Sequence, residues 1–204
     1  MRRALTSFGL GPHRPLLEIA LPTFARYAAE HAYDLFVPQV VPGDRPPSWL
    51  KIPLLQWLFK AGYDEVLWLD ADVVIRRFDR DIAEDCGEAP IHMVVHHTAD
   101  GSPPNLGVWY VRRTAARMLA DAWDRTGGWR GAVWWEQAAM ISTLGGDAEA
   151  QKVVVPPSSS WGELPYEWNP HCHDPRGVPA DCRFFHATMM ADRAVAMRRA
   201  AGDL

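Results

Sequence analysis

Three cysteines in 204 residues (Cys86, Cys172 and Cys182) are too few and too irregularly spaced for a disulfide framework. Cys172 and Cys182 flank a loop and could pair, but the reduced state of an intracellular protein is the default expectation. No apolar run approaches the ~18 residues of a membrane span, and the first residues lack the apolar core of a signal peptide. The expectation is therefore a cytoplasmic protein with no integral membrane segment. Positive charge is not in excess either: the formal net charge is -4, against the basic surface that a nucleic-acid binder normally carries. What remains is an ordinary globular composition, 48% hydrophobic and 23% charged, in a chain long enough to bury a core as one domain over 1–204. Its wealth of Ala, Arg, Pro and Trp suits a GC-rich bacterial genome.

The most informative stretch is 65–75, an apolar Val/Leu/Trp/Ile run interrupted at its centre by Asp70 and Asp72. A continuous run of this length reads as a strand buried on both faces. Unpaired ionised carboxylates in such surroundings cost several kcal/mol or more, so a cation must offset them. Side chains two apart on an extended segment point the same way, which lets both carboxylates converge on one divalent ion. Oxygen ligands without a nearby thiolate or imidazole favour Mg or Mn over Zn. The competing reading is a pair that only caps the next turn or meets Arg76 and Arg77.

Trp68-Leu69-Asp70-Ala71-Asp72 resembles the Asp-x-Asp motif of GT-A glycosyltransferases, and its surroundings resemble most the fungal galactosyltransferase and plant xyloglucan xylosyltransferase family, with glycogenin-like enzymes more distant. The resemblance implies a single α/β GT-A (Rossmann-like) domain, a central mixed, mostly parallel sheet flanked by helices. It also implies Mn or Mg bridging the diphosphate of a nucleotide sugar, UDP-linked in the expected case, with transfer to an unidentified acceptor. The nearest families retain anomeric configuration. Many of their members carry a membrane anchor, which is not expected here.

Further segments extend the likeness in order along the chain. Residues 4–8 form a first strand whose end, Thr6, Ser7 and Phe8, meets base and ribose in that fold. A helix is expected over 16–31, interrupted by Pro22, and 27–34 resembles the family's link to a second strand at 35–37. Ser48 is positioned to cap a helix over 48–61 stopped by Gly62, in which Lys51 would offer charge to the donor. Strands are expected at 91–96 and 105–113; in the second, Asn105 and Gly107 match an Asn-x-Gly segment that lies under the donor sugar. Thr114 would cap a helix over 115–125.

The aromatic 129–135 piece is either a sugar-stacking platform or core, with core favoured for at least one tryptophan. Glu136 and Gln137, opening a helix, resemble the family's Asp-Gln pair facing the acceptor and anomeric carbon, with Glu in place of Asp. Residues 152–156 read as a strand, and 168–170 follow a polar loop that could wall the acceptor cleft. The His171, Cys172, His173, Asp174 and Cys182 crowding does not fit zinc spacing. His186, ending the last apolar strand, is the family's third metal ligand beside Asp70 and Asp72, with Ala71 between them at the nucleotide. The family often follows this His with Gly and then Lys or Trp; here Ala187 and Thr188 follow, so Arg193 is the candidate replacement cation. Two other readings stand beside transfer. A sugar-phosphate nucleotidyltransferase would need a better Gly-rich basic loop than 9–14, and a non-catalytic sugar- or partner-binding domain would have no use for buried carboxylates.

Overall fold

The chain enters its sheet at once. Strand β1 (Arg3–Thr6) is buried from Ala4 onward and ends before Ser7 and Phe8. The computed structural model describes residues 1–97, 101–131, 135–148, 153–154 and 157–202. Helix α1 (Arg14–Glu30) buries Leu16, Leu17, Ala20, Phe24, Tyr27 and Ala28 at helical spacing. The interruption expected at Pro22 does not occur: the helix runs through it. Pro22 is on the exposed face, where water can serve the carbonyl that its missing N–H leaves open.

Strand β2 (Asp34–Phe36) pairs parallel to β1. Ser48 does not cap the following helix. A 3₁₀ turn at Pro47–Leu50 comes first, α2 (Lys51–Lys60) starts after Leu50, and the buried Ser48 hydroxyl finds no partner among the described residues. Gly62 does stop the helix: at φ 99° its N–H reaches Phe59 O at 3.1 Å while Tyr63 N reaches Leu58 O at 3.2 Å, a Schellman closure.

The single strand expected over 65–75 is two strands, β3 (Glu65–Leu69) and β4 (Val73–Ile75). Between them Asp70, Ala71 and Asp72 form a turn closed by Val73 N to Asp70 O at 3.1 Å. The apolar run is continuous because both strands are buried, yet they belong to different sheets.

Next come β5 (Ile91–Val95), β6 (Gly101–Ser102) and β7 (Pro104–Arg112). Helix α3 (Ala116–Arg125) begins after a second 3₁₀ turn, Arg113–Ala115, so the exposed Thr114 does not cap it. Helix α4 (Glu136–Thr143), β8 (Val153–Val154), β9 (Gly162–Glu163), β10 (Phe184–His186) and α5 (Arg193–Ala201) complete the chain. Of the strand expected over 152–156, residues 152, 155 and 156 lie outside the described residues, as does Trp134.

The main sheet runs β2-β1-β3-β7-β5-β9; β7 is antiparallel to both neighbours and the other pairs are parallel. Alternation along β3 sends Val66 and Trp68 into a core shared with α2, α3 and α4, and Leu67 and Leu69 into a second core with α1, β4 and β10. The α/β fold with a mixed, mostly parallel sheet between helices is therefore the one observed. Among the described residues no helix is long and apolar enough to cross a membrane. The three cysteines are free thiols.

Two irregularities bring distant residues together at one end of the sheet. Strand β7 is bulged: Met93 pairs with Trp109 but Val94 pairs with Asn105, so Leu106, Gly107 and Val108 have no partner on β5. And β4 leaves the main sheet to pair antiparallel with β10, setting Val73 opposite His186.

Candidate metal and nucleotide site

The turn after β3 sits at the carboxyl end of a parallel strand, where open α/β sheets bind ligands. Asp70 is fixed there from three sides. Its N–H donates to Gly107 O in the β7 bulge at 2.8 Å, and its Oδ1 accepts from Lys51 Nζ at 2.9 Å and Trp68 Nε1 at 2.7 Å. Asp72 is buried; Oδ1 lies 3.3 Å from His186 Nε2 and Oδ2 accepts from Arg193 Nη1 at 3.0 Å. Burial alone would raise its pKa, but His186, when its ring is protonated, and Arg193 outweigh that and hold the carboxyl below the usual carboxylate range. Ligand atoms of Asp70, Asp72 and His186 all fall within 4.8 Å of one another.

Lys51 is only 2% exposed. Its ammonium is held by Asp70 Oδ1, by Glu136 Oε1 at 3.1 Å and by Leu106 O at 3.2 Å. Burial works against this charge, yet the two carboxylates prevail and raise its pKa. Glu136 is thus engaged by an ammonium as well as by its position in the first turn of α4. Gln137 accepts from Leu106 N at 3.4 Å, propping the bulge from below. Asn105 Oδ1 accepts from Gly107 N at 2.8 Å, and the buried Asn169 donates to the same oxygen from Nδ2 at 2.8 Å. Asn169 Oδ1 lies 2.9 Å from His186 Nδ1. Gly107 has a steric reason: a Cβ there would collide with the His186 ring.

A cleft of about 390 Å³ opens over this cluster, with Phe8, Lys51, Trp68, Asp70, Ala71, Asp72 and Arg193 in its wall. Trp135 forms its lip, 50% exposed and at φ 49°, while Trp129 packs against the core. Thr6 and Ser7 are fully buried and absent from the lining; the Thr6 hydroxyl donates to Phe36 O at 2.7 Å. Of the three residues expected at the end of the first strand, only Phe8 faces the cleft, edge-on to Trp68.

Of the His171–Cys182 crowding, only His171 and His173 bring their rings together, with centroids 5.7 Å apart. Cys182 is buried beside Arg76, Cys172 faces Thr188 O, and Asp174 accepts from Arg176 and from His97 N. Asn169 is the residue that the sequence did not single out. Buried amides leave no periodic or motif signal.

The donor set suits the ion expected. Two carboxylates and one imidazole, with oxygen in the majority, fit Mn or Mg. Around it three carboxylates (Asp70, Asp72, Glu136) meet two ammonium or guanidinium groups (Lys51, Arg193), an excess of negative charge that a divalent cation would offset.

No family model matches the chain, and no curated protein matches it by sequence. Solved structures do. A glycosyltransferase involved in the glycosylation of the major capsid of PBCV-1 superposes with a TM-score of 0.68 at 16% identity, covering 98% of each chain. The glycosyltransferase GlyE of Streptococcus pneumoniae TIGR4 gives 0.57 at 14% identity over 83% of this chain and 46% of its own. The bifunctional glycosyltransferase WbbM gives 0.51 at 13% identity over 82% of this chain and 39% of its own. At these identities the likeness is one of architecture, and this chain has the fold of those glycosyltransferases.

Proposed function

We propose that residues 1–204 are one catalytic domain, a metal-dependent glycosyltransferase. It would move a sugar from a nucleoside-diphosphate sugar, UDP-linked, to an acceptor hydroxyl. The observation that carries this reading is the convergence of Asp70, Asp72 and His186 at the carboxyl end of β3, beneath a cleft. Mn or Mg held by these three residues would supply Lewis-acid neutralisation of the leaving diphosphate. Arg193, on Asp72 and 33% exposed at its side chain, is the cation placed to reach the donor. Lys51 is engaged by three oxygens and acts instead by positioning Asp70 and Glu136. Phe8 and Trp135 offer apolar walls for the base or sugar face, and Asn105 and Gly107 line up the bulge beside His186.

Transfer with retention is the mechanism favoured here. If the reaction inverts instead, Glu136 is the candidate general base, and its 3.1 Å contact with Lys51 would have to open for it to act. Calorimetric titration of UDP and GDP, with and without Mn, on the wild type and on Asp72→Asn tests the proposal. Mn-dependent UDP binding that disappears in the variant is the expected result. Binding of neither nucleotide in the presence of Mn would overturn it.

A further inference from the structure

We infer that Asn169 is a positioning residue that fixes the tautomer of His186, through a hydrogen-bond relay that starts at the backbone of the β7 bulge. The direction of each bond follows from the protein's own donors and acceptors. Gly107 N–H is a donor and nothing else, so the oxygen it meets at 2.8 Å is the acceptor of Asn105. That same Asn105 oxygen meets the Asn169 amide at 2.8 Å, so Asn169 must turn its NH₂ toward it. The Asn169 carbonyl oxygen is then left facing His186 Nδ1 at 2.9 Å, and Nδ1 must carry the proton. Neutral His186 therefore holds its lone pair on Nε2. Nε2 in turn points at Asp72 Oδ1, 3.3 Å away.

Two acceptors facing each other in a buried site repel unless a cation lies between them. The relay thus prepares the nitrogen that a metal uses, and the group that meets Nδ1 is an amide. A neutral amide is used where many metal-binding histidines have a carboxylate behind them. Asn169 is itself held in place, since it is fully buried and its main-chain carbonyl sits 2.6 Å from His96 Nε2. Gly107 contributes twice, as the donor that sets the direction of the relay and as the gap that admits the imidazole.

The consequence for metal affinity rests on the metal-dependent function proposed for this site; the tautomer does not, and the test separates them. Long-range ¹H–¹⁵N spectra of histidine-labelled, metal-free protein report which ring nitrogen of His186 is protonated, at a pH where the ring carries one proton. The wild type should show Nδ1–H. Asn105→Ala removes the acceptor that orients Asn169, so its amide can turn and the His186 signal should move toward Nε2–H. This variant alters a partly buried residue that makes no hydrogen bond to the ring, and it carries the test if Asn169→Ala fails to fold. Asn169→Ala should release the tautomer too and weaken Mn binding, read by calorimetry, by about 10- to 100-fold. Nε2–H in the wild type, or an unchanged tautomer in both variants, overturns the relay. Nδ1–H in a wild type that binds no Mn would sink the metal reading and leave the relay standing.

Discussion

Strand β3 carries Glu65 at its first residue and Asp70 just past its last, and the two carboxylates are treated differently. At the Glu65 end each buried acid has its own partners. Glu65 accepts from the Tyr110 hydroxyl and from Arg112 Nε at 3.2 Å, while nearby Asp81 accepts from Arg3, from Tyr33 at 2.7 Å and from Ala83 N at 3.1 Å. One guanidinium and one phenol serve each carboxylate. At the Asp70 end three carboxylates divide Lys51 and Arg193 among them, and a histidine completes the group. The first arrangement is closed and serves stability. The second is short of positive charge, which is what a site proposed to take a divalent cation requires.

Removing a cation should cost more at the Asp70 end. Lys51→Met would bury Asp70 and Glu136 without their ammonium, and urea denaturation should show a loss of about 3–5 kcal/mol. Adding Glu136→Gln should recover part of it, because one orphaned charge disappears. Arg112→Met, whose side chain is 23% exposed and whose Glu65 keeps the Tyr110 hydroxyl, should cost less. Equal losses at the two ends would erase the distinction.

Metal should stabilise one end only. At a hundredfold excess over its Kd, Mn should add about 2.7 kcal/mol to the wild type in thermal melts. Glu65→Gln should keep this gain. Gly107→Ala, which pushes a methyl into the His186 ring, should lose it.

Acid should act on the Glu65 end through His92. Burial, with a smaller contribution from Arg112, lowers its pKa to about 4. The unfolded chain takes up that proton near pH 6.5, before the folded one does. The stability contributed by neutral His92 is therefore complete above about pH 6.5 and declines as pH falls toward 4, by about 2 kcal/mol at pH 5. Denaturation midpoints of wild type and His92→Gln across that window should converge as pH falls; parallel curves would remove His92 from the account.

The same contrast explains what the sequence made legible. Asp70, Asp72 and His186 stood out because charged or titratable residues are chemically foreign to apolar strands, and the structure does bring them together. The turn between the aspartates was hidden. An unbroken apolar run looks the same whether it stays in one sheet or changes partners, and only β10, over a hundred residues away, decides that. Ser48 and Thr114 look like helix caps, but each falls within a 3₁₀ turn that precedes its helix. Lys51 was recognisable as a useful cation; its partners were not, because they come from three separate elements. Asn169 had no local signature, since its role exists only between Asn105 and His186.

The pairing of β4 with β10 has a consequence in time. Asp72 receives its guanidinium from a residue 121 positions later, and its imidazole from the strand shortly before that. The apolar layers formed by earlier segments can collapse while this carboxylate still faces water. Closing so long a loop costs entropy before the new contacts return anything, and contacts of high sequence separation slow folding. A nascent chain therefore cannot complete the site until β10 and α5 have emerged.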